Sequence, residues 1–230
     1  MDLIGEGLKQ ALHLLLQGDS EVWQITWLSL RISGLATVIS LVIGLPLGTL
    51  LALGRFPGRR FLVSLVNTGM ALPPVVVGLI VSIFLWRSGL LGGLRLMYTP
   101  TAMVIAQTMI AAPMVIGLTL SGLQQLDGRL QWQLLGVGAS PLQMVWMLWR
   151  EARLPLLAAL MAGFGSVISE VGASMMVGGN LRGYTRVLTT AIVMETSKGQ
   201  FDVALALSAI LLSLAYVVNL TFTWIQQRKQ

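Results

Sequence analysis

The sequence predicts an all-α polytopic membrane protein, with about five transmembrane helices and one surface coupling helix in a single domain over residues 1–230. Three observations predict it. Hydrophobic residues fill 55% of the chain and charged residues only 10%, whereas a soluble domain carries about 25% charged residues. The apolar residues gather into runs of the length, about 20, that crosses roughly 30 Å of hydrocarbon as a helix. The basic residues behind the net charge of +6 fall between those runs, where they mark membrane flanks and form no patch for nucleic acid.

The chain has no cysteine, which excludes disulfides, thiolate metal sites and cysteine nucleophiles. Its one histidine, His13, stands in "ALHLLLQGD" and reads as a solvent or headgroup contact. Residues 1–21 read as an amphipathic helix at the membrane surface. The apolar run there is short, and Asp19 and Glu21 follow it where a signal peptide would have small residues for cleavage.

Spans are expected near 32–54, 61–86, 98–123, 154–179 and 203–225. Among them Glu170 is the one Asp, Glu, Lys, Arg or His. Pro46 in "GLPLG", Pro73 and Pro74 in "ALPPVVVG" and Pro113 in "IAAPMVIG" predict kinks, because proline removes a backbone donor and disturbs the preceding turn. The glycines around Pro46 also predict a close backbone contact. Kinked spans suit helices that line a pathway.

Residues 127–153 connect the third and fourth spans without reading as a loop. Leu130, Leu134 and Leu135 have helical spacing, and Gly136 and Gly138 interrupt it. Ser140, Pro141 and Gln143 then form a helix start: serine caps, proline suits the first turn, and glutamine returns the bond. This second helix is expected to run into the fourth span.

The fourth span places Glu170 among small residues, including Gly163, Ser166, Gly172 and Ser174, that suit close helix approach. A carboxylate at membrane depth faces the protein or water, not lipid, so Glu170 is expected to brace the bundle through a hydrogen bond or an ion pair, for which Arg31 or a loop arginine could supply the partner. Gly178 and Gly179 allow the helix to stop. The outer segment 180–202 follows, and its "VLTTAIVMETS" reads as a short helix. Met175, Met176 and Val177 are either an apolar constriction or ordinary packing.

Basic residues set the orientation weakly. Arg55, Arg59, Arg60, Arg129, Arg150, Arg153, Arg228 and Lys229 are placed inside, against Lys9, Arg87, Arg95, Arg182, Arg186 and Lys198 outside. The N-terminus is then outside and the C-terminus cytoplasmic.

"LLGVGASPLQMVWMLWREARLP" resembles the cytoplasmic coupling motif of bacterial ABC-importer permeases, with Gly138, Ala139, Ser140 and Pro141 at its core. Trp132, Gln133 and Leu134 stand where that family usually has Glu-Ala-Ala, and the following Leu-Pro is displaced to Leu154 and Pro155. "ISEVGASMMVGGN", "TTAI" and "ETSKG" are similar to the tungstate subgroup of the oxyanion permeases, which are related to molybdate and sulfate permeases.

The resemblance implies a permease subunit in the plasma membrane of a bacterium or archaeon. It implies ATPase coupling through Leu134, Leu135, Gly136, Gly138, Ala139, Ser140 and Pro141. It also implies a path or gate drawn from Glu170, Gly172, Ser174, Met175, Met176, Gly178, Gly179, Asn180, Arg182 and Arg186. Arg182 and Arg186 suit a tetrahedral oxyanion; docking of a binding protein and headgroup contact are the other readings of the same segment. The implied partners are a second copy, ATP-binding cassette ATPase subunits, an extracytoplasmic substrate-binding protein and membrane lipid. No cofactor is expected in this chain: it has no "GxxxxGK[ST]" loop, so ATP and Mg belong to the ATPase.

A self-sufficient secondary transporter or channel would usually carry more intramembrane ionisable groups than one. An intramembrane enzyme would need a carboxylate pair at membrane depth, an "HExxH" or a "GxSxG", and the sequence holds none.

Overall fold

The structure, a computed structural model, describes residues 20–227. The predicted surface helix over 1–21 therefore lies outside the described residues, except that Ser20 and Glu21 open the first helix. That helix, α1 (Ser20–Leu53), is longer than the span predicted from residue 32. Arg31, which ends the uncharged run in the sequence, sits on its exposed side. A charge bounds a hydropathy run without ending a helix, because a long side chain can stay wet while the opposite face packs.

The span expected at 61–86 is two helices, α2 (Arg59–Ala71) and α3 (Pro74–Leu85), bent at 104°. Leu72 and Pro73 are extended, with ψ of 130° and 128°, since a residue that precedes proline is pushed out of the helical region. After a 3₁₀ turn (Gly92–Leu94), Thr99 caps α4 (Pro100–Gln124) by accepting a bond from the Ala102 amide.

Helix α4 is the centre of the bundle and packs against α1, α2 and α3. It touches α1 where the "GLPLG" glycines remove side chains: a Cβ on Gly44 would lie 2.7 Å from Val115 Cγ1, and one on Gly48 would lie 2.6 Å from Thr119 Cβ. The close contact predicted there is present. Pro46 and Pro113 nevertheless lie inside unbroken helices. Each deletes one helical hydrogen bond, and the packed neighbours hold the remaining turns in line; the Pro113 ring rests against Gly69.

Helices α5 (Gly128–Gly136) and α6 (Pro141–Glu151) form the connection after α4, and α7 (Arg153–Ile168) follows. The capping box at Ser140 is formed: the Gln143 amide donates to Ser140 Oγ (3.4 Å) and the Ser140 amide to Gln143 Oε1 (2.9 Å). Contrary to the expected continuity, α6 meets α7 at 75°. The turn is at Ala152 (φ −79°, ψ 15°), and Pro155 falls in the first turn of α7, where a missing amide costs no intrahelical bond.

Helix α7 breaks at Glu170 before the short α8 (Gly172–Gly178). The chain finishes with α9 (Leu188–Ser197), inside the predicted outer segment, and α10 (Phe201–Gln227). Three of the described helices are long and apolar enough to cross a bilayer, and five spans result if each bent pair counts as one.

Candidate functional site: a coupling knob and a broken helix

Two regions hold the residues singled out from the sequence. At one end of the bundle, α5 and α6 form a knob. Leu134 and Leu148 are buried against Leu123 and Ala152, which ties the knob to the ends of α4 and α7. Gly138 takes a φ of +81°, a left-handed conformation that glycine adopts without steric cost, so the chain reverses between the helices. The indole Nε1 of Trp149 donates to Thr49 Oγ1 at 2.8 Å and fastens α6 to α1.

Of the predicted coupling residues, Leu134 is core and Ala139 half-buried, while Leu135, Gly136, Gly138, Ser140 and Pro141 are exposed. Beside them stand residues that the motif did not single out. Val137 and Leu142 are each 82% exposed and Trp132 is 72% exposed, with Trp146 also out. The knob therefore turns one apolar face inward and a second outward. The outward one was legible from helical spacing on α6, where Leu142 and Trp146 lie four apart.

At the other end α8 fills the space between α3 and α4. Ala173 and Val177 join the main core with Val77, Val81 and Met103. Small residues make the fit: a Cβ on Gly78 would lie 2.6 Å from Ala173 Cα, and one on Gly178 would lie 2.7 Å from Met103 Sδ. Ser174, fully buried, accepts a bond from Gln107 Nε2 at 3.3 Å.

Glu170 does not brace the bundle through an arginine. Its Oε1 accepts the Ala173 amide at 3.0 Å, and its carbonyl accepts the Thr189 hydroxyl at 3.0 Å. Arg31 is on the exposed side of α1, and among the described residues no ion pair involves Glu170. The break in the helix explains the difference. Interrupting α7 leaves the first amides of α8 without helical partners, and the carboxylate satisfies one of them locally. Glu170→Ala should therefore cost about 1 kcal/mol, as loss of an N-terminal cap does, while Glu170→Gln keeps an acceptor oxygen and should melt within a degree or two of wild type. Thermal unfolding of the purified chain reads this; equal losses in both variants would mean that the charge matters instead.

The chain leaves α8 through two left-handed residues, Gly179 (φ +70°) and Asn180 (φ +51°). Thr185, fully buried, donates to the Gly178 carbonyl (2.6 Å) and accepts the Leu181 amide (2.9 Å). Arg182 and Arg186 come together around a carboxylate: Arg182 Nε and Arg186 Nη1 donate to Glu21 Oε1 at 2.9 and 3.2 Å. The Leu188 amide donates to Ser29 Oγ at 2.9 Å. The first helix thus holds the start of the outer segment at both points. Met175 is exposed, Met176 half-buried and Val177 buried, so the three do not share one surface.

Sequence reasoning missed Glu21, Gln107, Thr185 and Thr189. Gln107 carried a usable signal, being the one amide side chain in the third predicted span. Glu21 carried none, because its partners lie far along the chain. Among the described residues no cluster of three His, Asp or Glu side chains is placed to hold a metal ion.

Residues 44–230 match the family model described as "Binding-protein-dependent transport system inner membrane component". The chain belongs to this family. The permease is 37% identical to the tungstate uptake system permease protein TupB of Peptoclostridium acidaminophilum, over 99% of this chain and 100% of that one. It is 40% identical to a probable anion ABC transporter permease protein of Haloferax volcanii, over 85% and 86% of the two chains. The molybdenum transport permease ModB of Escherichia coli K12 is more distant, at 27% over 88% and 93%. The permease also shares its fold with an inward-facing MetNI methionine ABC transporter, at a TM-score of 0.77 and 20% identity over 93% and 98% of the chains. It is all-α with the architecture of type I importer permeases, and it is a membrane-spanning transport subunit.

Proposed function

We propose that this permease carries tungstate inward and is driven by ATP that a separate subunit hydrolyses. One observation carries the substrate: the similarity to a tungstate uptake permease extends over 99% of this chain and the whole of the relative. Molybdate and sulfate are the alternatives that the more distant relatives suggest.

The knob is the docking point for ATP-binding cassette ATPase subunits, which bring ATP and Mg. Its inner face is bonded to α1, α4 and α7, so a push on its outer face moves three helices as a body. Leu135, Gly136, Gly138, Ala139, Ser140 and Pro141 shape that outer face, and Leu134 anchors it. Motion of this kind is a two-state change that ATP binding biases.

The gate lies at the α7–α8 break. Glu170 and Gly172 form the joint, and Ser174, Gly178, Gly179 and Asn180 hold the far end of α8. Met175 and Met176 present the apolar side. Arg182 and Arg186, held by Glu21, form the rim where the anion arrives from an extracytoplasmic binding protein. A second copy completes the path; α2 buries no residue within this chain and exposes Phe61 and Leu65, surface left for lipid or that copy. The knob end is cytoplasmic in this reading, with the C-terminus inside and the N-terminus outside.

Competition for uptake tests the substrate. Vesicles that hold the permease, its ATPase and its binding protein should take up labelled tungstate, and a tenfold excess of molybdate should inhibit less than the same excess of unlabelled tungstate. Stronger inhibition by molybdate would reassign the cargo.

A further inference from the structure

Where the knob joins the bundle, the α1–α2 turn and the α4–α5 connection enclose an open cavity of about 1040 Å³. Arg55, Arg59, Arg60 and Arg129 line it, against a single carboxylate, Asp127. That carboxylate is already engaged: Asp127 Oδ1 accepts the Arg129 amide at 2.9 Å and caps α5. Arg59 Nε donates to the Leu51 carbonyl at 2.7 Å, which fixes its guanidinium at the wall and leaves its terminal nitrogens to face elsewhere. Among the described residues none of the four arginines is in an ion pair.

Helix α2 also begins at this cavity. Its N-cap is Gly58, at φ +85° and without a side-chain cap, so the positive end of a 13-residue helix adds to the field. Several like charges that converge on one concavity repel one another unless an anion joins them. Planar guanidinium forks match the oxygens of phosphate and bind it in bidentate fashion. Phe61 and Leu65 stand exposed on the first turns of α2, the helix whose start lines the cavity, and give that helix an apolar surface that suits an acyl chain.

We propose that this cleft binds a phosphate-type tetrahedral oxyanion, carried by an anionic phospholipid headgroup or free in solution. The site is at the knob end of α4, whereas the proposed gate packs against the opposite end, so the assignment stands apart from the choice of cargo.

The full-length permease in phosphatidylcholine nanodiscs is the test system, titrated with phosphatidylglycerol in one arm and with inorganic phosphate in the other. Bound lipid is counted by native mass spectrometry, and Tm is followed in both arms. Each arginine near a phosphate surface is worth about fivefold in affinity, so Arg55→Gln/Arg60→Gln/Arg129→Gln should weaken binding on the order of a hundredfold. Arg87→Gln/Arg95→Gln, in the loop before α4, should leave it within about twofold. Arg59 is spared because it also fastens the turn. Should the triple variant fold poorly, each single variant should still show about a fivefold loss. A response to phosphatidylglycerol alone assigns a lipid headgroup, and a response to inorganic phosphate assigns the free ion. Unchanged binding in the triple variant, an equal loss in the Arg87/Arg95 control, or no response in either arm overturns the proposal.

Discussion

Replacing Leu142 and Trp146 with aspartate should abolish ATP-dependent uptake while the permease still folds and inserts. Both side chains lie on the outward face of α6, Leu142 at 82% exposure and Trp146 at 61%, so no core contact is lost. Large apolar anchors at a protein interface cost about 2 kcal/mol or more each when truncated, and a buried, unpaired carboxylate costs more. Loss of co-purification with the ATPase, at an unchanged Tm of the isolated permease, is the expected pair of readings. Leu148→Asp makes the informative contrast. That residue is 1% exposed inside the knob, and its change should lower Tm as well as uptake. If Leu142→Asp/Trp146→Asp kept full ATPase binding, the outward face would not be the docking face.

The second large effect is expected at Gly78. A Cβ there would sit 2.6 Å from Ala173 Cα, a backbone atom that no side-chain rotation can move aside. Overpacking of this kind costs about 1–3 kcal/mol, and Gly78→Val should exceed Gly78→Ala because its branches point into the same wall. Since α8 is held on one side by α3 and on the other by α4, the strain is relieved by displacing α8, so transport should fall with Tm. Gly34 is the control. Nothing lies within 4 Å of its added Cβ, and Gly34→Ala in the middle of α1 should stabilise by about 0.5–1 kcal/mol. If the two glycines behaved alike, the close α3–α8 contact would be refuted.

Local chemistry was legible in the sequence, and of the long-range geometry only the close approach at the "GLPLG" glycines was. Ser140, Pro141 and Gln143 specify a capping box through neighbouring atoms alone, and that box is formed as read. The helix of "VLTTAIVMETS" falls where its composition placed it. The prolines divide by context. Pro73 and Pro74 stand together, so two successive residues resist the helical conformation and the chain turns, whereas Pro46 stands between glycines whose helix packs closely on α4, Pro113 rests against Gly69, and both helices run unbroken.

Charges were read less well, because a charge is interpreted by its partner. Glu170 looked like one end of a hydrogen-bond or ion-pair brace between spans. Its partner is an amide three residues on, available only because the helix breaks, and the break is not marked by any proline. Arg182 and Arg186 looked like donors to an anion, a binding protein or lipid headgroups, while Glu21, the carboxylate they share, lies across the fold near the start of the described chain.

The most direct test of the whole account is uptake with and without the motor. Vesicles that contain the permease with its ATPase and binding protein, loaded with ATP, should accumulate tungstate. The same permease alone, or the complex without ATP, should accumulate none above the rate of protein-free vesicles. Accumulation by the permease alone would contradict the account, since the knob would then have no ATPase to answer to.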